Sequence, residues 1–245
     1  MEQVKTHTRA LLITGTIIPN SNFVTHANIN QRRQEYINGL LFYSQQFPED
    51  DLFFLENSSY DFNSDTEFEK LFKGKNIQLL KFPTSDKYSL GKGYQEFEML
   101  DKSIEKLASR YQCFIKITGR YKVLNLKEIT NTKCESMIAD SHKTPKVTQT
   151  NVFYIDTEFY KTYIKGLYLH VNDAEGIYIE HLVYETLISK NMLCKTSLFS
   201  KNPIITGFSG SYGGTLHRNK YKMMLRNNER KILKLLGIHQ FIIEY

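Results

Sequence analysis

The chain has 245 residues, of which 41% are hydrophobic and 13% aromatic, and a formal charge of +6. That apolar fraction excludes a disordered chain, and the length admits one larger α/β domain or two small ones. No run approaches the ~18–20 apolar residues that cross a bilayer. Glu2 stands where a secretory signal would carry basic and then apolar residues, so no such signal is expected. Cys113, Cys134 and Cys194 lie far apart without paired spacing, which argues against a disulfide scaffold or a zinc site and fits a reducing cytoplasm.

Arg9 to Ile18 (RALLITGTII), a short apolar run ended by Pro19, predicts a buried first strand. Residues 29–46 place Ile29, Tyr36, Leu40 and Tyr43 near one helical face. Asp51 to Leu55 (DLFFL) predicts the second strand, Thr66 to Phe72 a short helix, and Ile77 to Phe82 (IQLLKF) the third strand. A polar loop carrying Gly91-Lys92-Gly93 leads into a long amphipathic helix from Tyr94 to Tyr111. Cys113 to Ile117 (CFIKI) is the fourth strand and runs into Thr118-Gly119-Arg120-Tyr121. Residues 125–150 are polar and weakly patterned. Val152 to Ile155 is another strand, ending in Asp156-Thr157-Glu158, and Gly176 to Ile188 is a helix. Residues 202–215 are glycine-rich and read as a mobile or tightly turned segment.

Helix-length connections between short apolar strands predict an α/β fold, a mostly parallel Rossmann-like sheet flanked by helices. One domain over residues 1–245 is the simplest organisation, with a nucleotide-binding half at 1–125 and an acceptor-side half at 126–245. Ligands of such sheets bind beyond the carboxyl ends of the strands. Those ends read Thr14-Gly15-Thr16, Glu56-Asn57-Ser58, Phe82-Pro83-Thr84 and Thr118-Gly119-Arg120-Tyr121, all polar or glycine-bearing.

Several residues there have chemistry to offer, each beside a structural alternative. Lys92 between Gly91 and Gly93 suits a phosphate, although a plain helix-entry turn has the same spelling, and the spacing is not that of a P-loop. Arg120 presents a two-pronged donor to a phosphate or carboxylate, unless it serves a structural ion pair. Tyr121 offers a ring to a base or sugar. Glu56 can take a ribose hydroxyl or can bond the backbone of its own loop. Asp156 and Glu158 share a face of an extended segment and could hold a divalent ion, but the triplet is common by chance. Glu180 is a candidate general base, and its neighbour His181 points about 100° away on a helix. The seven histidines show no HxH or HExxH spacing, and no GxSxG elbow is present.

The basic excess is confined to the C-terminal segment. Residues 191–245 balance at +7 and residues 1–190 at −1. Tyr221, Leu225, Ile232 and Leu235 recur near helical spacing among lysines and arginines, which predicts an amphipathic basic helix. The apolar stripe is expected to pack on the core. The charges suit an anionic ligand or an anionic membrane surface. Nucleic acid is not expected, because the rest of the chain has no basic surplus.

Taken together, TGTIIP at the first strand, Arg32-Arg33-x-x-Tyr36, FFLENS, GKGYQE, ITGRYKVLN, YIDTEFY and YIEHLVYE resemble bacterial glycosyltransferases of capsule and lipopolysaccharide assembly with a GT-A-like fold. The resemblance spans roughly residues 10–190. It implies transfer of a sugar from a nucleotide-sugar donor to a glycan or lipid-linked acceptor, in the cytoplasm or on the inner face of the cytoplasmic membrane. It places the nucleotide near Thr14, Gly15, Glu56, Lys92 and Arg120, with Thr16, Arg33, Asn57, Gly93, Gly119 and Tyr121 around it. Glu180 or Asp156 becomes the base, and Arg120 the counter-charge to the leaving phosphate. The Asp-x-Asp metal motif of GT-A enzymes is replaced by Thr118-Gly119-Arg120, which counts against a divalent-metal requirement, and no metal ligand is assigned. The glycine-rich 207–214 segment reads as a lid. The alternatives are a sugar-nucleotide nucleotidyltransferase, disfavoured by a first loop without a basic residue, and a non-catalytic membrane-surface or anion-binding module supported by the basic tail.

Overall fold

The computed structural model describes residues 7–20, 27–189, 196–207 and 220–237. The first half alternates strictly: β1 (His7–Gly15), α1 (Ile29–Gln46), β2 (Asp51–Glu56), α2 (Thr66–Gly74), β3 (Ile77–Lys81), α3 (Lys92–Leu107) and β4 (Tyr111–Thr118). Short pieces follow: β5 (Lys122–Val123), α4 (Leu126–Ile129), β6 (Met137–Ile138), β7 (Ser141–His142) and β8 (Val147–Thr148). Then come β9 (Val152–Asp156), α5 (Thr157–Phe159) running into a π-helical turn at Tyr160–Ile164, and α6 (Ile179–Ser189). β10 (Thr196–Ser197), β11 (Ile205–Thr206) and α7 (Lys220–Leu235) complete the described elements.

The main sheet has the order β3-β2-β1-β4-β9-β6-β10. β1, β2, β3 and β4 pair in parallel. These strands are apolar on both faces, and both faces are covered. Leu11, Ile13, Phe54, Ile115 and Ile117 meet Tyr36, Leu40 and Phe68 of α1 and α2. Ala10, Leu12, Phe53, Leu55 and Phe114 meet Phe97, Leu100 and Val183 of α3 and α6. The fold is thus the expected mostly parallel, Rossmann-like α/β sheet flanked by helices.

Two expectations change. α3 begins at Lys92, so Lys92 and Gly93 are its first turn and not part of the preceding loop. β9 runs antiparallel to β4 and β6. The reason lies in residues 119–151, which contain only the four-residue α4 as helix. A parallel return needs a crossover long enough to span the sheet. Here the chain leaves β4 and re-enters β9 at the same edge, where the Thr118 amide donates to the Asn151 carbonyl (2.9 Å).

Candidate functional site

At the carboxyl edge of β1 and β2, two loops are locked together. The Glu56 carboxylate is fully buried. Its Oε1 accepts from the Ile17 amide at 3.0 Å and from the Ser58 hydroxyl, and its Oε2 accepts from the Ser58 amide at 3.0 Å. Lys81 completes the shell at 3.1 Å. Every lone pair is spoken for, so Glu56 fixes its own loop and does not present itself to a ribose. Thr16 donates through Oγ1 to Asn57 Oδ1 (2.7 Å), and its amide donates to the Tyr36 hydroxyl (2.9 Å). A Cβ on Gly15 would lie 2.4 Å from the Phe54 ring, so this glycine admits that ring. Thr16, Asn57 and Glu56 therefore form the floor of the site.

Three cations stand on that floor. Arg32 is buried, and its Nε donates to the Thr16 and Ile17 carbonyls at 3.1 and 3.2 Å. Burial and the neighbouring charge of Arg120 lower its pKa, against the pull of Tyr36, Glu35 and Glu56. Arg120, at the end of β4, lies 3.5 Å from Glu35. Burial opposes its charge, but Tyr36, Tyr121 and Glu35 outweigh the penalty and raise its pKa. Lys92 stands at the head of α3. Burial lowers its pKa, Asp173 and Glu180 oppose that shift, and Arg120 and Arg32 reinforce it. Arg32, Arg120 and Lys92 thus stand near enough at the strand ends for their charges to oppose one another, and such a grouping favours an anion.

Close backbone approach puts them there. A Cβ on Gly39 of α1 would fall 2.3 Å from the Gly119 carbonyl, and one on Gly119 would meet Ile13 and Thr14. Any side chain at either position would lift α1, with Arg32, away from β4. At α3, a Cβ on Gly93 would lie 2.9 Å from Ile179, so this glycine lets the helix pack against the start of α6. That contact sets Lys92 beside Glu180. The Asp173 carboxylate accepts from the Lys92 amide (2.9 Å), and burial raises its pKa.

A second polar cluster lies on the α3 face of the same strand tips. Lys116 is fully buried in β4 and satisfies its ammonium with Glu96 (2.7 Å), Thr118 Oγ1 (3.0 Å) and the Thr150 carbonyl (2.5 Å). Glu96 Oε1 also accepts from the hydroxyls of Thr14 (2.5 Å) and Thr118 (3.2 Å). Thr150 donates its hydroxyl to Glu180 Oε1 at 2.8 Å. Glu96 and Glu180 are both half-buried and so retain contact with solvent. The arrangement holds two carboxylates at the rim of the cationic seat.

Of the residues singled out from the sequence, Thr14, Gly15, Thr16, Glu56, Asn57, Lys92, Gly93, Gly119, Arg120 and Glu180 gather at this edge. Asp156 does not. In β9 it pairs in register with Cys113, at the start of β4, roughly 15 Å of strand from Thr118. Its side chain accepts from the Phe159 amide (2.9 Å), so it caps the following turn. Arg33 also points elsewhere. It grips Asp65 with two bonds of 2.6 Å and reaches Glu67 at 2.6 Å, and this holds the Asp65 carboxyl well below the usual carboxylate range. The Tyr121 ring is half-buried and packs against the first core, with the Arg120 guanidinium carbon 6.0 Å from its centroid. Among the described residues, no cluster of three histidine, cysteine or carboxylate side chains could hold a metal.

The C-terminal helix departs from expectation. Tyr221, Met224, Leu225, Ile232, Leu235 and Leu236 are exposed, Leu235 at 86%. The buried side of α7 is carried by Arg230 and Leu233. Arg230 forks onto Asp140 at 2.8 and 2.6 Å and reaches the Phe199 carbonyl at 3.1 Å. A buried arginine matched to a carboxylate sets the rotation of the helix and turns the apolar stripe outward. In the expected lid, 208–214 lies outside the described residues. Gly207 has a φ of +139°, and a Cβ there would fall 2.8 Å from the Arg120 carbonyl.

Arg32, Glu96 and Lys116 were not among the candidates, yet each left a signal. Arg32 precedes Tyr36 by one helical turn and shares its buried face, whereas Ile29 is exposed. Lys116 interrupts an apolar strand covered on both sides, where a charge demands a partner. Glu96 lies one turn before Leu100 on the buried side of α3 and supplies that partner.

No protein-family model matches the chain, and no curated protein matches its sequence. Among solved structures, one similar chain is a protein from Desulfovibrio desulfuricans G20 described as a nucleotide-diphospho-sugar transferase, at 9% identity and a TM-score of 0.47, covering 76% of this chain and 78% of that one. Another is the galactosyltransferase LgtC in complex with donor and acceptor sugar analogs, at 9% identity and a TM-score of 0.45, covering 73% and 70%. At these scores the functional reading stands on the residues of this chain.

Proposed function

We propose that this protein is a glycosyltransferase that moves a sugar from a nucleotide-sugar donor to a glycan or lipid-linked acceptor in cell-surface polysaccharide synthesis. The observation that carries the reading is that Lys92 shares the carboxyl edge of parallel strands with Arg32, Arg120 and Glu180, while Glu96 pairs with Lys116 at the same strand tips. The acceptor hydroxyl oxygen attacks the anomeric carbon, and the bond from that carbon to the phosphate oxygen breaks. Negative charge builds on the departing nucleotide, where Arg120 and Lys92 stabilise it without reorganising. Glu180, oriented by the Thr150 hydroxyl, takes the acceptor proton. Calorimetry against UDP-, GDP-, dTDP- and CMP-sugars is the test. Saturable binding of one of them is expected, and binding of none removes the reading. Pyrophosphate release from a nucleoside triphosphate would replace it with nucleotidyl transfer.

The acceptor side of the reading includes an anionic membrane. The exposed apolar residues of α7 alternate with Arg226, Lys231 and Lys234, and Asp140, which anchors the helix, follows β6 on the same edge as the crevice. Such a face suits the headgroup boundary of a bilayer. No helix among the described residues is long and apolar enough to cross a membrane, and the contact proposed for α7 is with the surface. Flotation with vesicles containing anionic lipid, against neutral vesicles, checks it. Equal recovery with both kinds of vesicle, or with neither, speaks against this surface contact.

A further inference from the structure

The GT-A resemblance implies a divalent cation held between a pair of aspartates and the donor diphosphate. The residues at that place do not fit one. β4 ends in Thr118, followed by Gly119 and Arg120, where a metal motif would supply carboxylates. The acidic groups nearby are already engaged: Glu35 with Arg120 (3.5 Å), Glu96 with Lys116 (2.7 Å), Glu56 with Lys81 (3.1 Å), Asp173 with the Lys92 amide (2.9 Å) and Glu180 with Thr150 (2.8 Å). A hard cation needs several oxygens converging at about 2.0–2.6 Å, no three such side chains are grouped among the described residues, and the ion would stand beside Arg120 and Lys92.

Resting on the transferase reading, we propose that the crevice takes the diphosphate of its nucleotide with side-chain cations in place of a divalent ion, Arg120 and Lys92 meeting the phosphate oxygens and Arg32 adding its charge from beneath. Each position has a reason to be cationic. Arg120 is fixed by the tight turn at Gly119, whose amide donates to the Thr14 carbonyl at 2.8 Å. Lys92 stands at the N-terminus of a 16-residue helix, where the backbone dipole adds to its charge. Arg32 spends its hydrogens on the carbonyls of the first loop, so its role is one of field and not of direct contact. A nucleoside diphosphate already complexed with magnesium carries less negative charge, and this seat attracts it less than the free nucleotide.

Calorimetry of the full chain with UDP, GDP, dTDP and CMP, each in chelator and again in millimolar magnesium or manganese, tests the proposal. The expected result is binding of a diphosphate in chelator at least as tight as in metal, with added magnesium weakening it. Lys92→Ala and Arg120→Ala each weaken that metal-free binding about tenfold or more. Lys92 is half-exposed, so its removal leaves the core intact, and Lys92→Arg restores affinity. Binding that appears only with magnesium or manganese overturns the cationic seat and leaves the transferase reading standing. Unchanged metal-free affinity in both alanine variants overturns it as well. Absence of binding by every nucleotide under every condition overturns the transferase reading and this inference with it.

Discussion

The two halves of the sheet treat their strand tips differently. From β3 across β2 and β1 to β4 the strands are parallel, and β2, β3 and β4 are each reached through a helix, so the four tips share one edge. Beyond β4 the direction reverses at β9, and the Asp156 tip arrives at the opposite edge. Both regions present polar residues after a buried apolar strand, and only in the first do the tips of neighbouring strands meet at one edge. Polar residues after a strand therefore gather with those of neighbouring strands when the connections are full crossovers, and here cap a turn where the chain has doubled back.

Substitutions on the two sides sharpen this contrast. Glu180→Gln on the crevice side is expected to lower turnover by about 10²–10⁴ with nucleotide affinity retained, the loss typical of a missing general base. Initial-rate measurements of nucleotide release check it, and Asp156→Asn at the other edge should leave those rates unchanged. The reverse order would restore Asp156 as the base. Arg120→Ala should cost about 10²–10³ in turnover, as for one lost donor to developing charge, while the thermal transition remains cooperative. Unfolding of that variant would make the contact with Glu35 structural.

Next in size is the clamp between α1 and α2. Asp65→Asn should cost about 2 kcal/mol of stability at neutral pH, because Arg33 loses its matched carboxylate. The sign with pH follows from the depressed pKa of Asp65. Its contribution is complete above the unfolded carboxyl value of about 4 and is lost as pH falls below that toward the folded value. Urea titrations at pH 7 and pH 3 should show wild type and variant converging in acid. Asp156→Ala should remove about 1 kcal/mol, the worth of one turn cap, without altering nucleotide binding. Smallest of all, Leu235→Asp on the outward face of α7 should change stability by less than about 0.5 kcal/mol while reducing recovery with anionic vesicles.

Much of the first half was legible in the sequence. Runs such as LLIT, LFFL and CFIKI are apolar without alternation, and that pattern belongs to strands covered on both faces. The seven-element alternation followed from it, and with it the shared edge of the strand tips, whereas Glu180 was joined to that edge only through the family resemblance, beside Asp156. Less legible was which of two adjacent residues faces the crevice. Arg32 and Arg33 differ by one helical step, and that step sends one to the first loop and the other to Asp65. Nor did spelling separate a carboxylate that binds a ligand from one that binds its own loop. Glu56 is taken up by its own Ser58, by Lys81 and by the Ile17 amide of the loop after β1, which is distant in sequence.

The outward stripe on α7 carries the same lesson. Its amphipathic period is a property of the sequence, but its rotation is decided by one buried ion pair with Asp140, 90 residues away. The order of short-range elements was written in the residues themselves, because periodicity and turn chemistry act over a few positions. Direction of β9, burial of Glu56, facing of Arg32 and rotation of α7 were decided by tertiary structure, because each depends on a polar or backbone partner that only folding brings within hydrogen-bond reach.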